Sequence, residues 1–193
     1  IEGGIGNLFS YASLRRKFQD ESFCLDGEPH NLSKQNTFMG HHLLVPKEGV
    51  AIHINAFNFP VWGMLEKLST SLLAGVPAVV KPSPYSSYLT NEVFKDMIES
   101  GYLPEGAVQL VCGEPGNILD FVKNGDSVVF TGSANTGRKL KALPSISGNA
   151  VRFNMEADSL NCSILGLDAK PGTPEFDLFI KEVFQKPVDH HSH

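Results

Sequence analysis

The 193-residue sequence lacks the run of about 18 or more apolar residues that a membrane-spanning helix requires. It also lacks a basic excess, because 21 acidic and 16 basic residues give a formal net charge of −5. Nucleic acids and anionic membranes attract basic surfaces, so neither is an expected partner. Its three cysteines are widely spaced, without CxxC or zinc-finger spacing. We therefore expect a cytoplasmic protein with reduced thiols and no metal site built on cysteine.

Two common phosphate-binding sequences are missing as well. The stretch FTGSANTG, residues 130–137, has GxxxxG spacing rather than GxGxxG, and no lysine follows its second glycine. It still combines a strand end, a glycine turn and a helix start. Gly132 would let the backbone approach a ligand, and Ser133 with the free N–H groups of the first helical turn would hold a phosphate. The pattern fits equally well a serine that only caps the helix.

Strand-like and helical patterns alternate from residue 48 onward. One helix is expected to begin at Pro60 and stop at Gly75, and the next to be capped by Thr90 or Asn91. The alternation predicts an α/β fold with a doubly wound parallel sheet and helices on both faces. The expected strands are GVAIHI, PAVVKP, GAVQLVCG, SVVFTGS, AVRFNME and LNCSILGL, and the further helices are SYASLRRKFQ, NILDFVKN and TGRKLKAL.

Ligands of such sheets bind beyond the carboxyl ends of the strands, which directs attention to HINAFNFP, KPSP, CGEPG, FTGS and NME. Asn58 would donate a hydrogen bond to an anionic oxygen, or it satisfies its own turn. Lys81 would meet a ribose or a phosphate, or it is a solvated lysine before a proline-rich turn. Glu156 would act as a base if it lay buried in a cleft, and otherwise it faces solvent or caps a turn.

The remaining reactive side chains have simpler expectations. Cys112 and Cys162 are expected to be buried, inert thiols. His53 and the pair His41–His42 have no spaced partners and are expected to be structural or superficial. Three histidines near the end, His190, His191 and His193, would bind metal together or belong to a tail without a role, and the tail is the preferred interpretation.

Five stretches in series together resemble a known family. In order they are NAFNFP, LLAGVPAVVKPSP, GYLPEGAVQLVCG, VVFTGSANTG and NMEADSLN, and they resemble the nucleotide-binding half of the aldehyde dehydrogenase superfamily over about residues 38–185. ADSLNC, HINAFNFP and IEGGIGNLFSYAS further resemble the CoA-semialdehyde dehydrogenase branch of phenylacetate and benzoyl-CoA degradation. The resemblance implies a Rossmann-like core over residues 48–185, an arm over 1–47 and a tail over 186–193.

The resemblance also implies an activity and roles for matched residues. The expected reaction is NAD(P)-dependent oxidation of an aldehyde, here a CoA-thioester semialdehyde of aromatic catabolism, by a full-length protein that is a homo-oligomer. Asn58 falls on the oxyanion-hole asparagine, and Glu156 on the general base. Phe57 and Phe59 would hold the turn around Asn58 and keep water out. The implied cofactor contacts are Phe57, Lys81, Ser83, Gly132 and Ser133.

Two departures from the family pattern shape the expectation. NAD-using relatives carry a glutamate three residues after the matched lysine, where this sequence has Pro84. A carboxylate there would repel a 2′-phosphate, so its absence beside Lys81 and Ser83 predicts a preference for NADP, with NAD possible. The family's nucleophilic cysteine should follow Phe184 and Gln185, but the sequence continues KPVDHHSH. The 193-residue chain is thus expected not to oxidise an aldehyde by itself. Two alternatives remain, a non-catalytic nucleotide-binding module and an NAD-using enzyme for another aldehyde.

Overall fold

A computed structural model describes residues 1–18, 22–158 and 162–189, the last six of these by their backbone alone. The strands are β1 Cys24–Asn31, β2 Met39–Leu44, β3 Ala51–Ile54, β4 Ala78–Lys81, β5 Val108–Leu110, β6 Ser127–Gly132 and β7 Arg152–Ala157. The helices are α1 Glu2–Phe18, α2 Pro60–Leu73, α3 Ser87–Glu99, α4 Ala134–Lys141, α5 Pro144–Ser147 and α6 Pro174–Asp189, with a 3₁₀ helix at Ile118–Phe121.

A five-stranded parallel sheet organises the chain, in the order β5-β4-β3-β6-β7. The strand β3 lies in the middle, with Ile54 opposite both Lys81 of β4 and Phe130 of β6. The chain winds outward from β3 to β5 on one side and from β6 to β7 on the other. The doubly wound α/β prediction is therefore confirmed. The direction of winding reverses between β3 and β6, which is where such folds bind ligands.

Two apolar clusters cover the opposite faces of the sheet. On one face α2 inserts Met64, Leu65 and Leu68 against Val80 of β4, with partly buried residues of α3 around them. On the other face Ile146 of α5 and residues of the 3₁₀ helix pack against β3 and β6. Each fully buried aliphatic side chain contributes about 1.5–3 kcal/mol of transfer free energy. Helices on both faces are thus explained by the apolar residues that alternate along β3.

Local signals placed the limits of α2 correctly. Pro60 occupies the first helical position, where its missing N–H costs nothing, and Gly75 follows the helix with a φ of 72°. Trp62 of this helix lies outside the buried face and is 41% exposed. Gly4 of α1 is buried against this helix, and a Cβ added to Gly4 would lie 2.9 Å from a Leu65 methyl group. The absent side chain lets α1 and α2 approach closely.

Three expectations about secondary structure were wrong, and one helix was not expected. Thr90 and Asn91 do not cap α3, which begins at Ser87; Thr90 is fully buried and donates its hydroxyl proton to the Pro60 carbonyl, at 3.5 Å. NILDFVKN forms only the short 3₁₀ helix. The described part of LNCSILGL, residues 162–167, contains no strand. The helix α6 had no counterpart among the expected elements.

The arm contains the helix expected around SYASLRRKFQ and, in addition, an antiparallel hairpin of β1 and β2. Its register shifts between Asp26 and His30, around Gly27 with a φ of 76°. Within the described residues no helix has both the length and the hydrophobicity to cross a bilayer, and no cluster of three potential metal ligands occurs. His190, His191 and His193 lie outside the described residues.

The central strand buries an ionisable side chain. His53 is fully buried, its Nε2 lies 3.0 Å from the Ser71 hydroxyl, and its Nδ1 has no hydrogen-bond partner among the described residues. Burial, aided by the positive charge of Lys67, lowers the pKa of His53 from 6.5 to about 4. His53 is therefore neutral in the folded protein at physiological pH.

This histidine predicts a specific loss of stability in acid. The unfolded chain binds the His53 proton near pH 6.5, whereas the folded chain resists it down to about pH 4. The free energy of unfolding should thus fall by up to about 3 kcal/mol across that interval, and His53→Gln should remove this component. Urea titrations of both proteins at several pH values measure it. Parallel pH profiles for the two proteins would contradict the assignment.

Candidate functional site

One cavity of about 1560 Å³ opens at the carboxyl ends of the parallel strands. It exceeds the roughly 300–1,000 Å³ of common small-molecule pockets, so it suits an extended ligand. The residues that line it come from the ends of β3, β4, β6 and β7 and the segments that follow them, from the first half of α2, the start of α4, and from Ser163 and helix α6. All the predicted site residues are among them: Phe57, Asn58, Lys81, Ser83, Gly132, Ser133 and Glu156. The CGEPG loop is not.

The turn between β3 and α2 presents Asn58 to the cavity. Its side chain is exposed and makes no hydrogen bond within the described part of the chain. Phe59 packs edge-on against Trp62, with ring centroids 5.1 Å apart, and this contact steadies the turn. Phe57 and Phe59 nevertheless remain 41% and 55% exposed, so they do not seal the turn from water. The Asn58 amide donor is available to a ligand.

Glu156 lies on β7, the edge strand, and it is exposed instead of buried. Within the described residues β7 pairs with β6 alone. The Thr131 hydroxyl donates to the Glu156 carboxylate at 3.4 Å, across the β6–β7 pair. The cleft burial expected of a base is therefore absent from the described residues around Glu156.

A buried ammonium faces the same cavity. Lys67 of α2 is only 7% exposed, and its Nζ donates to the Gly63 carbonyl at 3.4 Å. Burial lowers the pKa of Lys67, while the nearby carboxylates Glu66 and Glu156 act in the opposite direction. The attraction between Lys67 and Glu156 connects α2 electrostatically with β7 across the cavity.

Lys81 is also buried, at 8% exposure, and its Nζ donates to the Pro82 carbonyl at 3.0 Å. The alternative of a solvated lysine was wrong, because the side chain is buried and its ammonium is bonded to a backbone carbonyl. Ser83 is half-buried beside it, and Pro84 and Tyr85 form the exposed rim. The segment therefore offers a cation and a hydroxyl on one wall and no carboxylate.

The start of α4 combines both roles considered for Ser133. The Ser133 hydroxyl accepts from the Thr136 N–H at 3.3 Å, so it does cap the helix, and it lines the cavity as well. A carboxylate also satisfies this helix end, since Asp158 Oδ2 accepts from the Ala134 N–H at 3.0 Å. A carboxylate is stabilised there by the helix dipole. An incoming phosphate would compete with Asp158 for this helix end.

The structure gives a packing reason for glycine at position 132 that the sequence did not reveal. It does not have a positive φ angle, but a Cβ at this position would lie 2.7 Å from the ring of buried Phe130. The missing side chain thus lets the ring fold under the turn that leads to α4. The approach of the backbone to a ligand follows from this packing.

Sequence reasoning missed two buried polar residues of the cavity, Asn55 and Lys67. Asn55 directly follows β3 and was overlooked beside Asn58. Lys67 lies four residues after Gly63 and therefore on the same helix face, a spacing that was available in the sequence. It was overlooked because the leucines of α2 dominated the pattern.

The cysteines differ from expectation as well. Cys112 and Cys162 are exposed and outside any strand, since β5 already ends at Leu110. The expectation of buried thiols was wrong for both. Neither they nor Cys24 line the cavity. None of the three is placed to attack a ligand bound there.

Comparisons with known proteins agree on one family. A sequence model of the aldehyde dehydrogenase family matches residues 1–172. The chain is 44% identical over 186 residues to the 3,4-dehydroadipyl-CoA semialdehyde dehydrogenase of Aromatoleum evansii, covering 96% of this chain and 36% of that protein. It is 30% identical over 158 residues to the D-glyceraldehyde dehydrogenase (NADP(+)) of Picrophilus torridus, covering 80% of this chain and 30% of that protein.

A solved structure shares the fold. Betaine aldehyde dehydrogenase of Staphylococcus aureus, in complex with NAD+, superimposes with a TM-score of 0.68 at 24% identity, over 93% of this chain and 33% of that protein. The chain spans about a third of the length of the curated relatives it matches, 36% and 30% for the two above.

The packing at Gly132 generates a prediction. Gly132→Ala should force Phe130 or the β6–α4 turn to move, which costs about 1–3 kcal/mol of unfolding free energy through overpacking. Denaturant unfolding measures it. Gly6→Ala is the control, because a Cβ at Gly6 meets nothing within 4 Å in the exposed helix α1. That change should be neutral or stabilising by up to about 1 kcal/mol. Equal stability of both variants would overturn the packing argument.

Proposed function

The chain belongs to the aldehyde dehydrogenase family, and from that premise we propose that its cavity binds a nicotinamide dinucleotide for the oxidation of an aldehyde to the acid. The proposal is supported above all by one observation. Residues from four separate stretches that resemble the family's functional motifs line a single cavity beyond the parallel strands. One relative carries NADP(+) in its name, and a structure with the same fold was solved in complex with NAD+.

The residues present fit such a cofactor. The buried Lys81 ammonium would hold a ribose hydroxyl, and Ser133 with the first N–H groups of α4 would hold the pyrophosphate. Asp158 would leave the Ala134 N–H as the phosphate arrives, exchanging one anion for another. Phe57 offers a half-exposed apolar surface. When bound, the nicotinamide supplies the hydride acceptor.

The chain's own residues would serve the reacting aldehyde. A thiolate adds to the carbonyl carbon, the carbonyl oxygen becomes negative, and the exposed Asn58 amide donates to it. Loss of hydride then leaves a thioester. Glu156 would take a proton from the water that cleaves this thioester, releasing the acid and the thiol. The thiol itself would come from outside the described cavity, since no cysteine lines it.

For the substrate we favour a semialdehyde carried on CoA in the breakdown of aromatic compounds. The support is the 44% identity to a CoA-semialdehyde dehydrogenase across nearly the whole chain. The full gene product would then be an oligomeric enzyme. The alternatives are a non-catalytic nucleotide-binding module and an NAD-using enzyme for another aldehyde. An open reading frame that ends after His193 would favour the module.

Kinetics of the full gene product test the catalytic roles. Asn58→Ala should lower kcat about 10²–10³-fold, because one oxyanion donor is lost, with cofactor affinity little changed. Glu156→Gln should slow release of the acid in every turnover while leaving the first round of hydride transfer fast, since the base acts on the thioester. Rapid-quench measurement of the first turnover separates the steps. The 193-residue chain alone should bind cofactor without turnover. Aldehyde oxidation by that chain would refute the role of an external thiol.

Cofactor preference is tested by binding alone. Calorimetric titration of the chain should give a lower Kd for NADP⁺ than for NAD⁺. Pro84→Glu should reverse the order by weakening NADP⁺ binding about tenfold or more, because a carboxylate at this rim repels the 2′-phosphate. Pro104→Glu adds the same charge at an exposed site away from the cavity and should change neither constant. A clear preference of the unmodified chain for NAD⁺ would refute the prediction.

A further inference from the structure

The feature that the proposed function leaves unused is a buried amide. Asn55 is only 5% exposed, and neither its Nδ2 nor its Oδ1 has a hydrogen-bond partner among the described residues. Its backbone N–H donates to the Lys81 carbonyl at 3.0 Å, which fixes the residue at the end of β3. An unsatisfied buried polar group costs about 1–3 kcal/mol, so a carboxamide in this position calls for a partner.

The partner has a defined place. Asn55, Gly63 and Lys67 line the cavity together, and we call this group the amide recess. A Cβ added to Gly63 would lie 4.0 Å from Asn55 Cγ and 3.9 Å from Lys67 Nζ. A methyl-sized volume between the carboxamide and the ammonium is therefore open because residue 63 is glycine.

Lys67 is under-bonded in the same recess. An ammonium has three N–H donors, and the one hydrogen bond that the Lys67 ammonium makes within the described residues is the 3.4 Å contact with the Gly63 carbonyl. Two carboxylates act on its charge, Glu66 on its own helix and Glu156 on β7. The charge of Lys67 in turn acts on His53 of β3, which is neutral. None of these satisfies its remaining donors.

A guest of this recess must accept from Lys67 and from Asn55 Nδ2, and donate to Asn55 Oδ1. A water molecule does all three, and it needs two to four polar partners to stay in a buried site. A phosphate or carboxylate oxygen leaves Oδ1 unpaired, and an apolar group satisfies nothing.

We propose that the amide recess holds one water molecule between the Asn55 carboxamide and the Lys67 ammonium, which makes Asn55 a positioning residue for Lys67. The water keeps the buried ammonium hydrated on the side that faces Glu156. Its relevance to catalysis rests on the proposed function, because Glu156 is the proposed base. The water site itself depends only on the three residues of the recess.

The test measures the ionisation of Lys67 in the unliganded chain. Competitive lysine acylation read by mass spectrometry over a pH series gives the apparent pKa of Lys67. Asn55→Leu removes the amide and should lower this pKa by about one unit. Gly63→Ala should lower it similarly by displacing the water, without touching either polar side chain. Asn55→Asp should raise it, because a carboxylate replaces the amide.

Control variants distinguish the effect of the water on the Lys67 pKa from a general effect of substitution on the protein. Asn117→Leu makes the same substitution at an exposed position outside the cavity and should leave the Lys67 pKa unchanged. A crystal structure of the chain should show the water within hydrogen-bond distance of both groups, and its loss in Gly63→Ala. A shift in Asn55→Leu without one in Gly63→Ala would overturn the water in favour of direct contact. An unshifted Lys67 in both would overturn the positioning role.

Cofactor is absent from this experiment, so its result is independent of the proposed function. Failure to bind NADP⁺ or NAD⁺ would refute the dinucleotide site while leaving the Lys67 titration intact. Conversely, an unchanged titration would refute the water site in a chain that still binds cofactor. If Asn55→Leu does not fold, Gly63→Ala carries the test, because its added methyl group makes only ordinary van der Waals contacts.

Discussion

The parallel pairing of β3 with both β4 and β6 is the constraint on which the rest of the structure depends. In parallel strands the register carries all carboxyl ends to one edge, and here Ile54 lies opposite both Lys81 and Phe130. The turn to Asn58, the lysine at the end of β4 and the glycine turn before α4 meet at that edge for this reason. The apolar clusters on both faces then hold the strands in that register.

The charged side chains around the cavity lie close together because their segments meet at this edge of the sheet. Two lysines, Lys67 and Lys81, are nearly buried there, while Glu156 is exposed on the edge strand and Asp158 occupies the start of α4. Buried cations are costly unless anions or dipoles approach them. The proposed dinucleotide would bring such anions into the cavity, and the amide recess offers Lys67 a polar neighbour. Affinity for the ligand and the ionisation of Lys67 are therefore parts of one electrostatic problem.

Prediction from sequence succeeded where the signal is local or where several signals agree. Pro60 and Gly75 set the limits of α2 through backbone geometry alone, and the repeated strand–helix alternation predicted the parallel sheet. It was wrong where tertiary contacts decide. Thr90 is a residue type that commonly caps helices, but here it is buried against the start of α2. Residues 162–167 contain apolar residues typical of a strand. The side chains of Ile164 and Leu167 are nevertheless strongly exposed, and no described strand pairs with this segment.

The sequence by itself determined the strand–helix alternation behind the parallel sheet and the side chains that the chain offers to a ligand, because these follow from residue type and spacing. Its resemblance to known motifs indicated the family. Only the tertiary structure decided their environments. It buried Lys81 and Lys67, exposed Glu156, Cys112 and Cys162, and placed the Asn55 amide beside Gly63 with no partner among the described residues. Burial and hydrogen bonding depend on which segments pack together across the sheet, and spacing along the chain does not contain that information.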